Sequence, residues 1–136
     1  MNQLSRFVLP GALLCALNAS AATLEVRVSG VSAQGKVNVA VCDRERFLKQ
    51  CAYNASAPAQ AGETTVVVKG VPAGTWAVIA WQDENGNNEL DRNLIGIPKE
   101  PYGFSRDARG KFGPPSFEDA AIEVGAGSAT ANLRLR

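Results

Sequence analysis

Leu24-Glu25-Val26-Arg27-Val28 alternates apolar and polar side chains, the period-two pattern of a strand with one face in a core and the other in water. The pattern recurs along the chain. Lys36-Val37-Asn38-Val39-Ala40-Val41 follows a turn at Gly35, Thr64-Thr65-Val66-Val67-Val68-Lys69 follows Gly62, and residues 75–82 follow the turn Val71-Pro72-Ala73-Gly74. Near the C-terminus Ala129, Ala131, Leu133 and Leu135 share one face, while Thr130, Asn132, Arg134 and Arg136 take the other. One short helix is expected over 43–50, with Asp43 capping its first turn and Phe47 and Leu48 packing inward. Short strands between Gly and Pro turns, without regular strand–helix alternation, predict an all-β fold. The expected architecture is a single antiparallel β-sandwich rather than a parallel α/β sheet. Residues 94–116 break the rhythm with Pro98, Pro101, Pro114, Pro115, Gly96, Gly103, Gly110 and Gly113, the composition of a long loop. Tyr102, Phe104, Phe112 and the adjacent Phe117 favour its being ordered, because aromatic area gains most when buried.

The 136 residues, 46% hydrophobic and 20% charged, suffice for one ordinary core. The N-terminus has a different character. Arg6, an apolar run over 7–17 and the small residues Ala19, Ser20, Ala21 and Ala22 have the form of a cleaved export signal over 1–22. The β-sandwich domain then occupies 23–136 and begins near Ala22 or Thr23, in the periplasm or outside the cell. The apolar run falls short of the roughly 20 residues that cross a bilayer, so no membrane span is expected in the mature chain. Leu14 is not the small residue that lipid attachment at Cys15 requires.

Removing Arg6 leaves 13 basic residues against 13 acidic ones, and no basic stripe is visible. A nucleic-acid partner is therefore not expected, since neutralising phosphate dominates such binding. Cys42 and Cys51 remain as an even pair, which in an oxidising compartment suggests a disulfide; two buried free thiols are the alternative.

The sharpest local pattern is Asp83-Glu84-Asn85-Gly86-Asn87-Asn88-Glu89-Leu90-Asp91. Asp83, Asn85, Asn87 and Asp91 fall at the first, third, fifth and ninth places of a calcium loop, and Glu89 at the seventh can offer its carbonyl. Leu94 stands where the bidentate carboxylate belongs, and Asn88 occupies the place usually held by Gly. The competing reading is a metal-free turn whose Asp and Asn side chains accept from their own backbone, with Arg92 neutralising Asp91. Calcium is the one cofactor this pattern suggests.

A second constellation, Trp81, Lys99, Glu100, Tyr102, Phe104 and Ser105, combines aromatic faces with a few polar groups, as binding sites for a small molecule or protein do. The same residues can simply pin the loop to the sheet. Trp76 and Trp81 lie five apart on one strand and so face opposite ways, one to the core and one available for contact. The chain has no histidine, which removes the commonest general base and metal ligand. The enzymatic alternative is a paired-carboxylate mechanism drawing on Glu100, Glu118 and Asp119 at an extracytoplasmic substrate. A purely structural module is the remaining alternative.

The ordered series Gly74-Thr75-Trp76-Ala77-Val78, Asp83-Glu84-Asn85-Gly86-Asn87, Leu90-Asp91, Gly96-Ile97-Pro98-Lys99-Glu100, Tyr102-Gly103-Phe104-Ser105 and Gly113-Pro114-Pro115-Ser116-Phe117-Glu118-Asp119-Ala120 resembles the domain-of-unknown-function 2141 family of exported bacterial proteins. The resemblance covers essentially the whole mature chain and implies little about activity. The passage Val71-Pro72-Ala73-Gly74-Thr75-Trp76 is similar to the turn and strand of prealbumin-like and immunoglobulin-like sandwiches, which implies a fold of that kind.

Overall fold

The computed structural model describes residues 21–90 and 98–136. Residues 1–20 of the expected export signal, Cys15 included, together with Asp91, Arg92, Leu94 and Gly96, lie outside the described residues. Among the described residues eight strands form: β1 (Ala22–Val31), β2 (Lys36–Cys42), β3 (Tyr53–Pro58), β4 (Gly62–Val71), β5 (Gly74–Asp83), β6 (Tyr102–Phe104), β7 (Ala121–Val124) and β8 (Ser128–Arg134). They build two sheets. One has the order β4-β1-β8; the other runs β3-β2-β5, with β6 and β7 dividing the far edge of β5 between them.

The alternating side chains create the core. Leu24, Val26 and Val28 of β1, Val66 and Val68 of β4, and Ala131 and Leu133 of β8 meet Val37, Val39 and Val41 of β2 and Val78 and Ala80 of β5 in one buried cluster. Each buried Val or Leu contributes roughly 1.5–3 kcal/mol. Trp76 packs against this cluster, edge-on to Tyr53 at 5.5 Å, with its Nε1–H donating to the Pro72 carbonyl at 2.8 Å.

Three features depart from expectation. First, β1 and β8 pair in parallel, so the sheets are not antiparallel throughout. The chain reaches β8 from β7, in the opposite sheet, and no hairpin dictates an antiparallel direction. Second, residues 43–50 form a turn and not a helix. Asp43 Oδ1 does accept from the Arg46 amide at 2.9 Å, but Leu48 at φ 62° stops propagation, and the flanking cysteines are tied together. The one α-helix among the described residues is α1 (Phe117–Ala120), where Ser116 Oγ accepts from the Asp119 amide at 3.2 Å. Third, β2 and β5 are buried on both faces. Ala40, Cys42, Ala77 and Ile79, on the outer face, join Cys51, Phe104, Phe117 and Ala120 in a second apolar cluster.

Two polar side chains hold the corners. Gln82, fully buried at the end of β5, donates from Nε2 to the carbonyls of Ser32 (2.8 Å) and Gln34 (2.6 Å) and accepts from the Ser32 amide at 3.0 Å, fixing the crossing from β1 to β2. Ser105, in the 3-10 turn Ser105–Asp107, sits where β6 ends and β7 begins along β5. Its Oγ accepts from the Val78 amide at 2.9 Å, which neither strand reaches, and donates to the Ala120 carbonyl. At the opposite corner the C-terminal residues join the sheets: the Leu135 amide donates to Ser29 O (2.9 Å) and the Arg136 amide to Tyr102 O (3.1 Å).

Candidate functional site

The second apolar cluster is only partly covered. The turn over 43–50 lies on it, fastened by the Cys42–Cys51 disulfide with Cα atoms 4.6 Å apart. In the chain-entropy model, closing so short a loop contributes about 2.5 kcal/mol. Phe47 wedges edge-on between Phe104 (6.1 Å) and Phe117 (5.8 Å), while Arg44 lies over the Phe117 ring and pairs with Glu118. Beyond this wall no other described element packs on the outer face of β5 and β6. A cleft of about 1020 Å³ lies there, floored by Ala40, Ile79, Trp81, Tyr102 and Phe104. Lys49, Gln50, Asn54, Asn88, Glu89 and Lys111 add polar groups, and the fully exposed Phe112 is part of the lining.

Strand register brings the aromatic groups together: Trp81 pairs with Tyr102, and Ile79 with Phe104, across β5 and β6. Tyr102 and Phe104 meet edge to face at 6.0 Å. The Trp81 indole N–H is buried and lacks an acceptor among the described residues, an orphaned donor of the kind that costs about 1–3 kcal/mol. The two tryptophans do divide between faces, Trp76 toward the inner cluster and Trp81 toward the outer one.

Of the candidate binding residues, Trp81, Tyr102 and Phe104 thus share the cleft. Lys99 is exposed and is not part of its lining. Glu100 is buried and accepts from the Glu84 amide at 2.8 Å, and Ser105 is buried and occupied in the β5 corner. Glu118 and Asp119 are exposed on α1, Glu118 in its pair with Arg44, whereas Glu100 braces the loop after β5. Glu100 thus serves a different element from Glu118 and Asp119. Ile79, Asn54, Lys49 and Lys111 were missed in the sequence reading; Ile79 could have been found, since it shares the face of Trp81 at a spacing of two.

The loop after β5 is organised around Asp83, which is fully buried. Its Oδ1 accepts from the Asn87 amide (3.1 Å), and its Oδ2 accepts from the Asn88 amide (2.7 Å) and from Asn38 Nδ2 (3.2 Å). Asn85 Oδ1 accepts from the Asn87 amide at 3.2 Å, and Asn87 Oδ1 from the Glu89 amide at 3.0 Å. Asn88 adopts φ 64°, the left-handed conformation that Asn tolerates, and its Oδ1 accepts from the Lys36 ammonium. Among the described residues there is no group of three or more His, Cys, Asp or Glu side chains able to hold a metal ion. No helix among them is long and apolar enough to cross a membrane.

Compared with known families, residues 26–132 match the model described as "Uncharacterized protein conserved in bacteria (DUF2141)". No curated protein and no solved structure matches the chain. The family match reaches into every strand from β1 to β8 and spans both sheets and the aromatic floor of the cleft. The chain belongs to the DUF2141 family of uncharacterized proteins conserved in bacteria.

Proposed function

We propose that the chain is an exported, non-enzymatic binding module whose outer-face cleft holds a small molecule with an apolar body and an anionic head. The observation that carries this reading is the cleft itself, about 1020 Å³ with Ile79, Trp81, Tyr102 and Phe104 as its apolar floor. That volume is at the upper end of small-molecule pockets, roughly 300–1,000 Å³, and the mixture of aromatic floor and sparse polar groups is their usual chemistry. Lys49 and Lys111 face Glu89 alone among charged lining groups, which favours an acidic head. The two packed sheets and the direct β4-to-β5 turn at Pro72 and Ala73 support a sandwich of immunoglobulin-like or prealbumin-like kind. Export is supported by the small residues Ala19-Ser20-Ala21 just ahead of Ala22, which is buried and paired with Val71.

The test uses protein recovered from the periplasm, whose intact mass should correspond to a chain starting at Ala22 with one disulfide. Anilinonaphthalene sulfonate, apolar rings bearing an anion, is titrated by fluorescence. Saturable binding is expected, weakened about tenfold by Trp81→Ala or Tyr102→Ala and unchanged by Thr130→Ala on the other sheet. Absence of saturable binding, or equal affinity in all variants, overturns the reading.

A second reading concerns the loop beginning at Asp83, as a weak calcium site. It is favoured by Asn88 at φ 64° in the sixth place and by Asp83 accepting from the amides of the fifth and sixth places. Lacking a bidentate carboxylate at Leu94, such a site belongs with extracellular modules of dissociation constant roughly 10⁻⁴–10⁻³ M. At about ten times that concentration calcium should stabilise the wild type by about 1.4 kcal/mol. Thermal melts with and without calcium decide: no shift in wild type, or the same shift in Asp83→Ala, makes the loop an ordinary turn.

A further inference from the structure

We propose that β4 is a self-pairing edge, through which two copies of this chain join antiparallel about Val66 to form one continuous sheet. This inference is independent of the cleft, which lies on the other sheet.

β4 is the outer strand of the β4-β1-β8 sheet, and among the described residues no strand pairs with its second edge. Its backbone there presents a row of unpaired amides and carbonyls, a template for another strand. The remaining edges are less suited. The end of β8, the other edge of this sheet, lies against Gly103 of β6, β3 has six residues and ends in Pro58, β6 is closed off by Arg136, and β7 has only four residues. In β4 the ladder to β1 is uninterrupted from Glu63 to Val68, contains no proline and shifts register only outside that span, beyond Val68 and before Glu63.

The side chains select the partner. Thr64, Val66 and Val68 are buried in the chain's own core, whereas Glu63, Thr65, Val67 and Lys69 are exposed, Val67 at 47% despite its size. Two copies of β4 related by a twofold axis at Val66 place Thr64 opposite Val68 and Thr65 opposite Val67. One step beyond each end, Glu63 meets Lys69 of the second copy. Both charges lack a partner within the described chain, and the twofold axis supplies one to each. Pairing a β-branched residue with Thr and opposite charges across the strands is favourable, whereas like charges directly opposite are not. A strand with Glu and Lys three places either side of its centre is therefore complementary to itself in this register alone: a slip of two residues loses both ion pairs.

Sedimentation equilibrium on the mature domain at low ionic strength tests this, since surface pairs are screened by salt. Wild type should show a monomer–dimer equilibrium. Lys69→Glu places Glu opposite Glu twice and should weaken association about tenfold, as should Glu63→Lys with its opposed lysines. The double swap, Glu63→Lys with Lys69→Glu, should restore wild-type affinity, and an equimolar mixture of the two single variants should associate more tightly than either alone. Both positions are exposed, so the substitutions leave the core intact. A monomer at every concentration up to about 1 mM overturns the proposal, as does a dimer whose affinity is the same in the single variants as in wild type.

Discussion

Gln82→Met lowers the stability of the domain by about 3 kcal/mol, although methionine matches the length and volume of the side chain it replaces. Apolar replacement of similar volume costs under about 1.5 kcal/mol by packing alone. The remainder comes from the corner between β1 and β2, where one amide group donates to the carbonyls of Ser32 and Gln34 and accepts from the Ser32 amide. Leaving such groups unmet costs about 1–3 kcal/mol each when they are buried. Ser32 and Gln34 are themselves exposed, so water recovers part of that cost. Urea unfolding measures the change. Gln60→Met, at an exposed position, is the control and should move stability by less than about 0.5 kcal/mol. If the two variants unfold alike, the Gln82 amide does not hold this corner.

Gly103→Ala has an effect of similar size, about 3 kcal/mol, for a steric reason. A Cβ on Gly103 would lie 2.2 Å from the Arg134 carbonyl oxygen, and the obstacle is backbone that cannot rotate aside. The closeness reflects the seam at this edge, where Arg136 and Tyr102 exchange backbone hydrogen bonds of 3.1 and 3.4 Å between the C-terminal segment and β6. An added methyl group pushes these segments apart and also disturbs the floor of the cleft, to which Tyr102 and Phe104 belong. Hydrogen exchange at Arg136 should therefore accelerate in the variant along with the loss of stability. Gly125→Ala, where a Cβ meets nothing within 4 Å, should be neutral or slightly stabilising. Equal behaviour of the two variants would show that the seam is not tight.

Local pattern makes the two-sheet core legible because a half-buried strand repeats every two residues: alternate apolar positions of β1, β2, β4, β5 and β8 stand on the inner cluster. The disulfide is legible from the parity of cysteines left after Cys15. What escapes is nonlocal or weak. β3 alternates with Ala and Tyr instead of branched residues, and β6 and β7 are too short to establish a period. The Asp43 cap is real, but a cap does not make a helix when Leu48 turns left-handed five residues later. The parallel pairing of β1 with β8 depends on which sheet the chain has just left, information that no window of sequence contains. Trp81, Tyr102 and Phe104 are conspicuous as aromatics, yet only strand register gathers them on one floor. Ser105 has the chemistry of a contact residue, but its position at the gap between β6 and β7 turns its hydroxyl to the Val78 amide.

The chain has two tryptophans, and they report on opposite faces of β5. In a nitrogen–proton correlation spectrum each indole N–H gives its own signal: Trp76, bonded to the Pro72 carbonyl, and Trp81, in the lining of the cleft. Titrating the folded protein with anilinonaphthalene sulfonate should move the Trp81 signal saturably, together with the amides of Tyr102 and Cys51, and leave Trp76 in place. A Trp81 signal that never moves, or one that moves no more than that of Trp76, would contradict the assignment of the outer face of β5 and β6 as the binding site.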